Sequence, residues 1–215
     1  MSNIIHIAID GPVASGKGSV ARQLSEKLGI PCLDTGALYR GVAVFVREQG
    51  QDKLGDIKMT AKIIDGATHV YLDKKDVTAF IRDNDISRMG SQLATIPSVR
   101  ALCTGIAQGI AKNQSLIAEG RDICNVVLPN AKYKFYIDGH VKVRAARRHR
   151  DLVGKGESIS YKEVLKQTKQ RDKVDRKKGG FKKISGAIRI NATNMTVDEN
   201  VQHMLNYITE WASNT

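Results

Sequence analysis

The sequence predicts an α/β protein built on a parallel sheet covered by helices on both faces. Three observations carry this expectation. Short apolar runs bounded by turn or polar residues alternate with helical patterns along the chain. The first run leads straight into a glycine-rich loop and then a helix. The 215 residues fit one domain with a sizeable core, apart from two segments that break the alternation.

In chain order, Ile4–Asp10 is an apolar run that ends on an acid beside the loop, and is expected to be the first strand. A helical pattern over Gly18–Leu28 follows. Cys32–Asp34 reads as a short strand and Gly36–Glu48 as a helix. HVYLDKKDVTAFI (69–81), within the first irregular segment, reads as a small hairpin or sheet. Ser98–Lys112 is helical, and Ser115–Glu119 and Tyr133–Asp138 are strand-like. Val141–Leu152 and Tyr161–Val174 are helical patterns in a basic window. Ala187–Asn191 and Val197–Trp211 close the alternation with a strand and a helix. Right-handed crossovers then limit the topology.

Charge is concentrated. The chain carries 34 Lys and Arg against 22 Asp and Glu. Lys142–Arg189 alone holds 17 basic and 5 acidic residues, which equals the whole net charge of +12. Such a window suits nucleic acid or a small polyphosphate ligand, or is simply a solvated face. Only Tyr161 and Phe181 supply aromatic rings there, which argues against a base-stacking platform. Cys32, Cys103 and Cys124 are scattered and fit no disulfide framework or zinc spacing. No apolar stretch reaches membrane-span length, and no basic leader precedes the first strand. The expected location is the cytoplasm, with no membrane partner.

GPVASGKGS (11–19) is the chemically informative stretch. Gly11 and Gly16 allow backbone angles that turn successive N–H groups inward, and the following helix start adds its own donors. Lys17 reaches a phosphate chain as a mobile point charge. The loop Gly11, Pro12, Val13, Ala14, Ser15, Gly16, Lys17, Gly18 and Ser19 is therefore expected to hold ATP phosphates. In most such loops a hydroxyl follows the lysine and holds magnesium. Here Gly18 stands there and Ser19 comes one residue later, a G-K-G-[ST] variant that resembles nucleoside monophosphate kinases.

LDTGALYR (33–40), DVTAFIR (76–82), ISRMGSQLATIPSVR (86–100), IAEGRDI (117–123), VVLPNAKYKFYID (126–138) and QRDKVD (170–175) stand in order along nearly the whole chain. Together they resemble bacterial cytidylate kinases. The resemblance implies a P-loop nucleoside monophosphate kinase fold: a five-stranded parallel sheet flanked by helices, an acceptor-binding insertion and a short basic lid. The core maps to 1–54, 113–141 and 187–215, the insertion to 55–112 and the lid to 142–186. The implied reaction is transfer of the γ-phosphate of ATP, with Mg2+, to CMP or dCMP. ATP, CMP and dCMP are the implied partners of a monomeric chain.

By the same resemblance, Arg40 and Arg121 grip the acceptor phosphate and Arg171 joins them from the lid. Arg144, Arg147 and Arg148 close over the ATP phosphates. Lys17, Arg121, Arg171, Arg147 and Arg148 form the expected catalytic set. Ser91, Arg100 and Asp122 map to the cytosine-reading positions, and Thr35 and Asp175 to ribose contacts. The local alternatives are a helix cap for Thr35 and a lid ion pair for Asp175. Tyr39 is expected to pack. An ionised phosphate acceptor needs no general base, so positioning and charge neutralisation must suffice. No protein metal site is expected, since none of the five histidines has ligand spacing. The sequence departs from the family pattern at Glu119, Cys124, Asn125 and Lys178, and the insertion looks shortened before His69. A P-loop kinase with another small acceptor, or a basic nucleic-acid-binding P-loop protein, are the competing readings.

Overall fold

The structure is a computed structural model that describes residues 4–177, 184 and 186–213. Lys178, the Gly179–Gly180 pair and Phe181 lie outside the described residues. Five strands, β1 (His6–Asp10), β2 (Cys32–Asp34), β6 (Leu116–Gly120), β7 (Tyr133–Asp138) and β8 (Ile188–Asn191), form one parallel sheet in the order β2-β6-β1-β7-β8. β1 sits at its centre, pairing Ile7 with Ile117 of β6 and with Tyr133 of β7.

The inner strands β1 and β6 are buried almost throughout because both faces are covered, whereas edge strand β8 exposes Arg189 and Asn191. Successive side chains point to opposite faces, so Ala8, Leu116 and Ala118 join one core cluster while Ile7, Ile9 and Ile117 join the other. Helix α1 (Lys17–Leu28) covers the second face with Val20, Ala21 and Leu24, beside α7 (Val197–Ser213) with Val201 and Met204. Helix α2 (Thr35–Gln49) covers the first face with Leu38, Val42 and Phe45. Full burial of an Ile or Leu side chain contributes about 1.5–3 kcal/mol, so the two clusters set the frame.

The segment between α2 and β6 is richer than a hairpin. A three-stranded antiparallel sheet runs β3 (Met59–Ile64), β4 (Ala67–Leu72), β5 (Lys75–Asp76), followed by α3 (Asn84–Leu93) and α4 (Pro97–Ala111). Met59, Val70, Leu72, Ile86, Leu93, Val99 and Cys103 enter the same cluster as Leu33 and Leu116. This segment is thus fused to the first face. Gly90 lets α3 lie against α2, where an added Cβ would stand 3.0 Å from the Tyr39 carbonyl oxygen.

Helices α5 (Val141–Gly154) and α6 (Tyr161–Lys177) form a hairpin. Its buried residues Ala145, Leu152 and Val164 belong to neither core cluster. Lys162, Lys166, Lys169 and Lys173 face solvent along α6. No described helix is long and apolar enough to cross a membrane.

Candidate functional site

The C-terminal ends of β1, β2 and β6 open onto one cleft of about 260 Å³, the place where open α/β sheets bind ligands. After β1 the chain turns through Gly11–Gly16. Ala14 (φ 56°) and Gly16 (φ 91°) take left-handed angles. Gly11 is required by close approach, since a Cβ there would lie 2.2 Å from the Ile137 carbonyl oxygen. Ser15 Oγ is buried with no hydrogen-bond partner among the described residues. Lys17 begins α1 and its Nζ lies 3.6 Å from Glu119 Oε2. Burial, reinforced by the nearby Arg121 charge, drives the lysine pKa down to about 8, against the pull of Glu119 and Asp34. Glu119 is pushed up, chiefly by burial. A Cβ on Gly18 would sit 3.4 Å from Glu119 Oε1, so glycine leaves that carboxylate its space.

Four arginines reach the same cleft from four separate places: Arg40 on α2, Arg121 after β6, Arg148 on α5 and Arg171 on α6. Arg40 Nη2 donates to Asp34 Oδ2 at 2.6 Å. Burial opposes ionisation of Asp34, but Arg40 outweighs it and holds the carboxyl below its usual range. Arg121 Nε donates to Asp175 Oδ2 at 2.9 Å, and its Nη1 to the Gly11 carbonyl at 2.9 Å. Arg148 donates to Asn84 Oδ1 at 3.4 Å, and Arg171 to Ser91 Oγ. Burial and the charges of Arg121 and Arg148 bring Arg171 down to about 10. Crowded cations of this kind mark an anion site.

Deeper in the cleft, the Arg100 guanidinium pairs with the Asp122 carboxylate, joining α4 to the loop after β6. That loop continues as a π-type turn over Ile123–Val127, with i→i+5 bonds from Val127 N to Asp122 O and Leu128 N to Ile123 O. Asp10 holds its start: the buried carboxylate accepts from Ile123 N at 2.8 Å and Cys124 N at 3.0 Å. Burial still raises the Asp10 pKa. Cys124 lies beneath the cleft, its thiol turned to the Ala8 and Phe135 carbonyls and its pKa pushed up by burial. Asn125 is exposed.

Lys17, Thr35, Arg40, Ser91, Arg100, Arg121, Asp122, Arg148, Arg171 and Asp175 all line this one cleft, as does Tyr39, which also packs on the first core cluster. Thr35 is the first helical residue of α2 and not its cap; its buried hydroxyl donates to the Glu119 carbonyl at 2.8 Å. Asp175 is engaged in the lid ion pair with Arg121. Two of the arginines expected over the ATP phosphates are placed elsewhere. Arg147 donates to the Ala192 carbonyl at 2.7 Å and the Met195 carbonyl at 3.2 Å, fastening the loop after β8. Arg144 is buried and directs four N–H donors to protein acceptors. Asp10, Asp34 and Asn84 escaped the sequence reading. The available signal was an acid at the end of each of two strands feeding the cleft. Among the described residues no cluster of three or more His, Cys, Asp or Glu is arranged for a metal ion.

A family model described as cytidylate kinase matches residues 7–210. A cytidylate kinase of Fervidobacterium nodosum is 39% identical over 210 residues, covering 95% of this chain and 96% of the relative. One of Carboxydothermus hydrogenoformans is 36% identical over 215 residues, covering 95% and 97%. Among solved structures, a shikimate kinase from Bacteroides thetaiotaomicron matches with a TM-score of 0.53 at 12% identity, over 96% of this chain and 99% of that one. An uncharacterized protein from Eubacterium ventriosum matches with a TM-score of 0.54 at 18% identity, over 97% and 99%. At such identities the two structures speak for the fold alone.

Proposed function

The chain belongs to the cytidylate kinase family, and on that premise we propose that this cleft transfers the γ-phosphate of ATP to CMP or dCMP, giving CDP or dCDP. The observation that carries the reading is the convergence of Lys17 with four arginines beside the Arg100–Asp122 pair. Two anions must be brought together, and planar guanidinium forks bind phosphate oxygens bidentately.

The Gly11–Ser19 loop cradles the ATP phosphates, and Lys17 neutralises charge on the group in transfer. Arg40, Arg121 and Arg171 hold the acceptor phosphate, with Arg148 closing from α5. The acceptor phosphate is largely a dianion near neutral pH, so no general base is needed. Ser91, Arg100 and Asp122 read cytosine: the carboxylate accepts from the exocyclic amine and the guanidinium donates to ring acceptors. Uracil would leave these partly buried groups mismatched. Thr35 and Asp175 border the ribose. The α5–α6 hairpin closes over the bound nucleotides and excludes water.

When bound with ATP, magnesium would neutralise charge on the phosphates. The residues present fit it: the Asp34 and Glu119 carboxylates lie beside Lys17, and the Ser15 hydroxyl is buried without a partner among the described residues. Asp34 and Glu119 would hold the ion through waters. The deciding experiment is a panel of CMP, dCMP, UMP, AMP and GMP with ATP. CMP and dCMP are expected to lead; preference for another acceptor overturns the reading.

A further inference from the structure

Arg144 was expected over the donor phosphates, yet its buried guanidinium is committed almost entirely to protein acceptors. Nε donates to the Gly139 carbonyl at 2.8 Å, and Nη1 to the Val13 carbonyl at 3.0 Å and to Asp172 Oδ1 at 3.2 Å. Nη2 donates to Asp172 Oδ2 at 2.6 Å. Four of the five N–H donors of an arginine are thereby engaged. The two side chains are 4% and 10% exposed. Three segments meet at this one group: the phosphate loop at Val13, the link from β7 into α5 at Gly139, and helix α6 at Asp172.

Asp172 also sets the phase of α6. Val164, Thr168 and Asp172 are its buried residues, at i, i+4 and i+8 on one stripe. At about 100° per residue, Arg171 lies about 100° and Asp175 about 60° to the same side of Asp172. That side is the cleft, where Arg171 meets Ser91 and Asp175 meets Arg121. A rotation of α6 about its axis would carry both away together. No described apolar residue of the hairpin belongs to either core cluster, so polar ties such as this one help hold it to the body.

We infer that Arg144 is a positioning residue: with Asp172 it fixes the donor-phosphate loop and the acceptor-phosphate side of α6 in one frame. Misplacement of the two reacting groups by about 1 Å costs on the order of 100-fold in rate, so the frame acts on turnover. This rests on the phosphoryl-transfer reading above and deepens it. Failure of the wild-type enzyme to phosphorylate CMP would count against that reading, whereas the variants below address the frame.

Two variants test it, assayed as full chains with ATP and CMP. Arg144→Lys keeps a cation beside Asp172 but cannot span three acceptors. Its kcat is expected to fall about 30-fold, with KM for CMP and ATP within about threefold of wild type. The double variant Arg144→Met with Asp172→Leu removes both buried charges and fills their space. Such replacements often preserve or raise stability, so the thermal midpoint should return to the wild-type level while kcat stays low. Recovery of kcat together with stability would mean that the pair serves folding alone, and the inference fails. It fails equally should a folded Arg144→Lys keep wild-type kcat or lose only KM; that variant decides should the double variant not fold.

Discussion

Lys17 Nζ stands 3.6 Å from Glu119 Oε2, and each side chain is only 11% exposed. The ammonium therefore sits in a largely buried site with Glu119 and Asp34 as its nearby anions, and burial with Arg121 holds its pKa near 8. Bound phosphates favour the charged lysine and raise that pKa. Between the free and bound values, ATP binding must take up a proton. Calorimetry in buffers of differing ionisation enthalpy should thus show proton uptake at pH 8.5 and almost none at pH 6.5. ATP affinity should weaken as pH rises past 8. No buffer dependence at pH 8.5, or the same dependence in Lys17→Met, would show that another group titrates.

Lys17→Ala should remove charge from the transferring group while leaving the strands around it intact. The expected loss in kcat is at least ~100-fold, as for other lost electrostatic stabilisers. Circular dichroism should match wild type. Near-normal turnover in the folded variant would remove the lysine from the chemistry.

Base reading and phosphate grip should separate by mutation. Asp122→Ala leaves the half-buried Arg100 guanidinium without its carboxylate and should narrow the advantage of CMP over UMP by roughly 10- to 100-fold. Arg40→Ala should raise KM for every monophosphate acceptor in similar proportion. Identical selectivity profiles for the two variants in steady-state kinetics would refute the division of roles.

The parallel strands were legible because each is a short run with apolar residues bounded by turn or polar residues, buried on both faces in β1 and β6; Cys32–Asp34 and Tyr133–Asp138 match to the residue. Strand β3 was missed because its inward positions Met59, Ala61 and Ile63 include a small residue, which weakens the alternation signal, and because it ends on exposed Ile64. Helix α3 was missed because NDISRMGSQL buries only Ile86, Gly90 and Leu93, and its glycine serves packing against α2 and not helix propensity. In the site, the arginines that follow strand ends or sit in motifs were found. The VRAARRHR run was not resolved by pattern. Arg144, Arg147 and Arg148 share one arc of roughly 100° on α5, but that arc faces inward. Arg144 is buried at its middle, and its neighbours diverge to the β8 loop and to the cleft. Sequence period gives a face, and only packing gives depth. Asp172 carried a readable hint, as a lone acid on the stripe of Val164 and Thr168.

Gly11→Ala tests the closest approach in the loop. The added methyl would fall 2.2 Å from a backbone oxygen of β7 and 2.9 Å from Ser15 Oγ. Backbone on the central sheet has little room to yield, so stability should drop by about 1–3 kcal/mol or more. Denaturant unfolding of the isolated variant measures this. A loss below about 0.5 kcal/mol, the size of ordinary surface changes, would mean that the loop relaxes freely.

The hairpin of α5 and α6 should respond to nucleotides unevenly along its length. Cations crowd its cleft side, where Arg148 and Arg171 stand near Arg121, and they repel one another until anions arrive. Bound ATP and CMP relieve that repulsion, which supplies the differential affinity that closure requires. At the base, however, Arg144 is bonded to Val13, Gly139 and Asp172, so the first turn of α5 cannot swing as part of a free lid. The connection between the helices carries Gly154 and Gly156, the latter at φ 84°, and there the backbone can flex. Amide hydrogen exchange, compared between the free protein and its complex with a bisubstrate analogue, reads the difference. Protection should rise over Leu152–Ser160 and the flanking turns, stay high in both states around Arg144 and Asp172, and change little in the sheet strands. Equal exchange in both states throughout the hairpin would mean that it is a fixed wall of the site, and its excess charge would then need another partner.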